Sequence, residues 1–415
     1  HAMINDMVYG GRMQNVISNN ISLMLPLWTN EGLAEYLSMN WDTEADMIIR
    51  DLAINERIPT IRELEYFLAY KGGQSVWRFI ATKYGREKIG EIFQSMKRYG
   101  NAQKGFEDAI GMDFEELTEQ WHKYIKKEYY PDVEGRDEVK DIAKRLTDHK
   151  KSGNFYNVSP TISPDGSHIA VLSDRSGYMD IYLLDAVSGR KVKRLIKGNR
   201  SIDFEELKFL QPGISWSPDS EKIVIAAKAG SSDALYLINI KTGKQEKIPF
   251  QLDGVFTASW SPNGDKLAFV GNEGGASDIY LYDLASKKLS NLTDDVFSDS
   301  EPSWNSDGTQ IVFVSDRDKI IDKNKMSSKG MFYHNYKQKN IYTLNLETKK
   351  INQITDTQYN ENYPIFANTK DVIFYTADYQ GTWNLFRHDL LTGESVVITN
   401  LLTGLFQLSL TKDDG

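Results

Sequence analysis

Residues 260–283 read WSPNGDKLAFVGNEGGASDIYLYD. Pro262 stands at the second position of a tight turn and Gly264 at the fourth, where a left-handed backbone is needed. KLAFVGN is a short apolar run of the kind that forms a strand buried on both faces. DIYLYD, after the Gly274-Gly275 turn, supplies the next strand. The unit recurs: Trp216, Trp260 and Trp304 are 44 residues apart and open WSPDS, WSPNG and WNSDG. Ile162 opens ISPDG one longer interval earlier, Phe366 opens FANTK 62 residues after Trp304, and Leu410 opens LTKDDG 44 residues later. DIYLLD at 180, ALYLIN at 234, NIYTLN at 340 and NLFRHD at 384 keep step with them. Two markers in one register establish a repeat. Each copy holds four antiparallel strands, and a lone sheet of that size cannot bury both faces. Radial packing solves this, with each tryptophan filling the wedge beside the neighbouring sheet. The architecture expected is a β-propeller.

The SPDG turn followed by D-I-Y-x-x-D resembles the blades of the TolB-like family, over about 270 residues. The expectation is a propeller of six-bladed type over residues 142–415, with five full blades and the start of a sixth. Arg145–Asp148 lies in AKRLTDHK, which matches the fourth-strand sequences SNLTDD, NQITDT and VVITNL. Residues 142–149 are therefore expected to pair with the last blade, which begins near Gly404, and to clasp the ring. Residues 318–340 form an insert with six lysines, two aspartates, Phe332, Tyr333, His334 and Tyr336. It reads either as a solvated rim loop or as a docking patch or flap. Asp174-Arg175 and Asp316-Arg317 recur at one blade position and read as turn formers and ion pairs.

Upstream the apolar period changes from two to 3.6. Residues 1–132 read as a helical domain, and 133–141 as a charged linker. Val76, Trp77, Phe79, Ile80 and Tyr84 share one face, closed by Gly85. Ile89, Ile92, Phe93 and Met96 share the next, and Phe114, Leu117, Trp121, Tyr124 and Ile125 a third, ended by Pro131. Thr43 with Asp46, and Asp113 with Glu116, are expected capping boxes.

Within this part, residues 28–38 read WTNEGLAEYLS. Glu31 and Glu35 are four apart and share a helix face. On spacing alone this is an amphipathic helix with two solvated carboxylates. The W-x-x-E-G-x-A-E-Y pattern resembles the third-ligand helix of the gluzincin zinc metallopeptidases, and GGQSVWRFIATKYGREKIGEIF with FEDAIGMDFEELTEQW resembles their C-terminal subdomain. That resemblance implies a zinc ligand at Glu31, a neighbouring carboxylate at Glu35, and a second zinc ligand at His1. It also implies that the first histidine and the general-base glutamate belong before His1. The stretch is thus expected to be a piece of a longer protein, truncated at both ends. A hydrolytic zinc centre needs three protein ligands and a base, so this stretch alone is expected to be inactive.

The chain is multidomain, α plus all-β. With 40% hydrophobic and 26% charged residues it is globular. A net charge of −9 argues against a general nucleic-acid binder. The absence of cysteine rules out disulfides and thiolate metal sites. The most apolar stretch, Ile21 to Trp28, is far short of a membrane span. Two functions from different classes follow. One is an envelope-associated or secreted zinc metallopeptidase whose propeller presents or filters protein substrates. The other is a non-catalytic propeller scaffold that binds protein or peptide partners, with a degenerate peptidase-like part. A serine peptidase gated by a propeller needs a G-x-S-x-G turn, which the sequence lacks. By analogy, the setting is periplasmic, cell-envelope or secreted in a bacterium.

Overall fold

The computed structural model describes residues 25–198, 204–208, 213–230, 232–317, 319, 334–369 and 371–413. They fall into two compact units. The first is helical, reaches Asp141 and includes Gln380–Thr382 and Asn400–Gly404; the second comprises the rest.

In the helical unit, α1 (Leu27–Met39), α2 (Thr43–Ile54), α3 (Tyr66–Tyr84), α4 (Lys88–Tyr99), α5 (Ala102–Ile110) and α6 (Phe114–Tyr129) surround one aromatic core. Trp28, Trp77, Phe93, Phe106, Phe114 and Trp121 are its bulk. Two indoles find acceptors there, Trp77 on the Thr29 carbonyl at 3.1 Å and Trp121 on the Ser75 hydroxyl at 3.1 Å. Buried Trp side chains need such partners. Helix α1 lies tightly on α3. A Cβ at Gly32 would collide with the Gly73 backbone, and one at Gly73 would fall 2.5 Å from the Trp28 carbonyl oxygen.

The Asp113–Glu116 capping box forms. The Thr43–Asp46 box does not: Asp42 caps α2 by accepting the Ala45 N–H at 2.9 Å. Asp46 is drawn elsewhere. It accepts from Arg50 at 2.5 Å, from the Trp41 indole at 2.9 Å and from the Tyr129 hydroxyl at 2.7 Å. A buried guanidinium makes a stronger claim on a carboxylate than a backbone amide does.

The second unit is a β-propeller of five blades, each an antiparallel sheet meandering from an inner to an outer strand. The innermost strands are Asn157–Ile162, Ile214–Trp216, Gly254–Trp260, Asp299–Trp304 and Glu361–Phe366. In the second blade Glu206–Leu207 also pairs with the second strand. The expected tight turns are present. Gly166, Gly264 and Gly308 take φ of +69°, +76° and +74°, and Ser220 takes +59° in their place. The tryptophans fill their wedges, each at most 8% exposed. Trp216 and Trp304 donate across to the neighbouring blade, at Thr161 O and Ser259 O, whereas Trp260 donates to its own turn at Gly264 O.

Two expectations about closure are corrected. The propeller has five blades and is not of six-bladed type. Between the fifth blade and the first runs the extended segment 405–412, which joins no sheet among the described residues. It bridges through two side chains and one backbone bond: Gln407 Oε1 accepts the Ser159 N–H at 2.6 Å, Ser409 Oγ the Ile162 N–H at 2.9 Å, and the Lys412 N–H donates to Pro164 O at 3.1 Å. With blade 1 amides satisfied by side chains, no strand ladder is needed there. Residues 145–148 likewise form no strand. They follow the hairpin of the first blade, where Lys144 donates to Val187 O at 2.5 Å, and Asp148 caps the short helix His149–Ser152. The outer strand of the fifth blade is its own Glu394–Val397.

Candidate functional site

Of the residues singled out by the peptidase resemblance, His1 lies outside the described residues. Glu31 and Glu35 lie half-buried on α1, and each has a neighbour on α3. Glu35 receives the Lys71 ammonium at 3.0 Å, which also meets Glu44 at 3.2 Å and Asp42 at 3.6 Å. Burial works against the Lys71 charge, but Asp42, Glu35 and Glu44 outweigh it and hold its pKa above the ordinary value. Glu31 faces the Tyr70 phenol; its charge, with its hydrogen bond, raises the Tyr70 pKa. A catalytic zinc needs three protein ligands. Among the described residues neither glutamate belongs to a group of three His, Cys, Asp or Glu side chains able to share an ion. The described residues therefore do not compose such a centre around Glu31 or Glu35.

Such a group does form in the propeller, from Asp278, Asp295 and Asp299. A cation already sits there. The Arg317 guanidinium, 1% exposed, reaches Asp299 at 2.5 Å and Asp295 at 2.9 Å. Burial raises both carboxyls against its pull. The ion pairing expected of Asp316-Arg317 is thus corrected: Arg317 pairs with Asp295 and Asp299 on other elements. Asp316 instead accepts the Ser298 N–H at 2.8 Å, and Asp174 matches it by accepting from Phe155 and Tyr156. Of the insert, His334 packs on Phe297 with ring centroids 5.4 Å apart and reaches Asp316 at 3.4 Å. Phe332 and Tyr333 lie outside the described residues.

The remaining candidate is the channel ringed by the innermost strands, a cavity of about 280 Å³. Its lining repeats. Ser159, Gly213, Thr257, Glu301, Tyr363 and Gln407 hold one position of the repeat, and Thr161, Ser215, Ser259, Ser303, Ile365 and Ser409 the position two residues on. At the first position the strand bulges out of its ladder, with register breaks at Val158/Thr161, Phe256/Ala258, Ser300/Ser303 and Asn362/Ile365. Ser159, Thr257, Glu301, Tyr363 and Gln407 all have positive φ there, from +27° to +59°. Each costs about 1–2 kcal/mol for a residue with a Cβ. The proline after the bulge in Ser159-Pro160, Glu301-Pro302 and Tyr363-Pro364 has no N–H to lose from the ladder. The channel wall is thus built of bulged backbone and small hydroxyls. Sequence reasoning passed over these residues, although counting three back from each repeat tryptophan locates Gly213, Thr257 and Glu301.

Residues 208–331 match the family model described as TolB beta propeller domain. No curated protein matches the chain. Among solved structures, TolB from Acinetobacter baumannii superposes with a TM-score of 0.48 at 19% identity, over 61% of this chain and 57% of that one. A putative TolB from Agrobacterium tumefaciens gives 0.47 at 18%, over 60% and 85%. A prolyl endopeptidase gives 0.40 at 14%, over 62% and 36%. The chain therefore spans 57% of the length of the Acinetobacter protein. A helical region is followed by a propeller that is TolB-like, and the family match lies wholly within that propeller.

Proposed function

We propose that the chain is a protein-binding module whose propeller channel receives a peptide segment of a partner protein. The ring of bulges carries this reading. Strain repeated at one position of four inner strands and of the 405–412 segment is stored where backbone is presented, and it recurs around a cavity lined with small polar groups. A peptide offers the complementary backbone donors and acceptors. Periplasmic, cell-envelope or secreted localisation is part of the proposal, by analogy with TolB-like propellers. No helix among the described residues is long and apolar enough to cross a membrane. Nucleic acid is not a proposed partner. The test is a selection of random displayed peptides on the purified protein, followed by measurement of the winners on Ser259→Trp, which fills the channel. Binding lost in a variant with unchanged melting temperature supports the proposal; binding that survives contradicts it.

The peptidase reading of the helical unit is a separate proposal. It is favoured by the close packing of Gly32 on Gly73, which fixes Glu31 beside Tyr70. It would have Glu31 and His1 hold zinc. With two of the three ligands, weak zinc binding in a calorimetric titration that weakens further in Glu31→Gln supports it; identical titrations of the two proteins contradict it.

A further inference from the structure

The bulge ring contains two links of the same kind. Gln407 Oε1 accepts the N–H of Ser159, and Glu301 Oε2 accepts the N–H of Tyr363 at 2.5 Å. In each, the side chain of one bulge residue satisfies the backbone of the next bulge around the ring. Gln407 shows that a neutral amide oxygen is enough for this task. The charge on Glu301 is therefore surplus to the link, and the link occupies one carboxylate oxygen. Glu301 is also the one formally charged side chain among the described residues that line the cavity. Its neighbours there are Pro302, Ser303 and Tyr363, none of them cationic. Lys339 is the charged group that acts on it, and Lys339 is exposed and is not part of the lining.

A carboxylate placed in a neutral cavity is costly unless something compensates it. Burial pushes the Glu301 pKa up to about 7, against the opposing effects of the Tyr363 N–H and Lys339. Perturbed acids in clefts are candidates for functional sites. We infer that Glu301 forms a subsite for a cationic group, the ammonium or guanidinium of a basic residue on the peptide that the channel receives. This rests on the peptide-binding reading above and adds the chemistry of the segment that binds. The peptide charge pairs with the carboxylate from inside the channel, while the hydroxyls of Ser259 and Ser303 remain for its backbone.

The test uses two blocked pentapeptides, acetyl-Gly-Gly-Lys-Gly-Gly-amide and its norleucine counterpart, titrated against the whole chain by saturation-transfer NMR. The lysine peptide is expected to bind about tenfold more tightly at pH 8, the equivalent of one charge-assisted contact. Glu301→Gln keeps the bond to Tyr363, as Gln407 does to Ser159, and is expected to abolish the difference. In the wild type the preference should also fade between about pH 8 and about pH 6 as the carboxyl takes up its proton. Tyr363 is the other titratable side chain in the lining, and an ordinary phenol does not titrate in that range. Equal affinity of the two peptides for the wild type, or a lysine preference that survives Glu301→Gln, overturns the subsite and leaves channel binding standing. Failure of both peptides and of every displayed peptide to bind overturns the channel reading and the subsite together.

Discussion

Glu361 is fully buried, and its carboxylate accepts from Thr355 and from Thr357 at 2.9 Å. Burial lifts its pKa from 4.5 to about 7, against the two hydroxyls. The folded state thus holds the proton more tightly than the unfolded chain. The stability this group contributes is full below about pH 4.5 and is lost as pH rises through about 7. Glu361→Gln stays neutral throughout. Relative to its difference from wild type at pH 4.5, it should gain on the order of 2–3 kcal/mol at pH 8. Urea unfolding at the two pH values measures this. Arg317 is the opposite case, a buried cation whose removal strands Asp295 and Asp299. Arg317→Met should cost about 3–5 kcal/mol in the same assay. Neither role was legible in the sequence. Asp316-Arg317 could be seen as a repeated pair, but the partners of Arg317 lie 18 and 22 residues before it on other elements. Only the folded blade brings them together.

Elements were far more legible than their pairings. Helix faces such as Ile89, Ile92, Phe93 and Met96 follow directly from period 3.6, and all four are buried. The Asp113–Glu116 box formed, with Asp113 accepting the Glu115 and Glu116 N–H groups and Glu116 accepting the Asp113 N–H. The Thr43–Asp46 box failed because Arg50, one turn on, took Asp46, a contest that local sequence rules do not weigh. Close approach of α1 to α3 was invisible too, because Gly32 and Gly73 are small residues with no pattern of their own. Gly32→Ala should destabilise the helical unit by about 1–3 kcal/mol through overpacking. Thermal unfolding followed by Trp28 and Trp77 fluorescence is the check, since their rings sit 6.0 Å apart across that contact. The bulges escaped for another reason. A β-bulge leaves the apolar alternation on either side intact, and only the register breaks of the folded sheet expose it.

At the scale of the whole molecule, the 44-residue period identified a propeller and the number of complete blades. Closure was misread. AKRLTDHK looks like a fourth strand by composition, yet a strand exists only where a neighbour offers a free ladder, and the segment after Gly404 that was to begin the last blade joins no sheet among the described residues. The channel itself belongs to no single repeat. It arises when equivalent positions of all the inner strands and the 405–412 segment converge, so no local reading of one copy displays it. The central claim is that this convergence is where a partner peptide sits. Hydrogen–deuterium exchange with and without a saturating selected peptide tests it most directly. The account predicts slowed exchange in the inner strands around Ser159, Thr257 and Ser303 and in the segment around Gln407, with the outer strands unchanged. Slowed exchange confined to the outer strands or to the helical unit, with the channel segments unaltered, would contradict it.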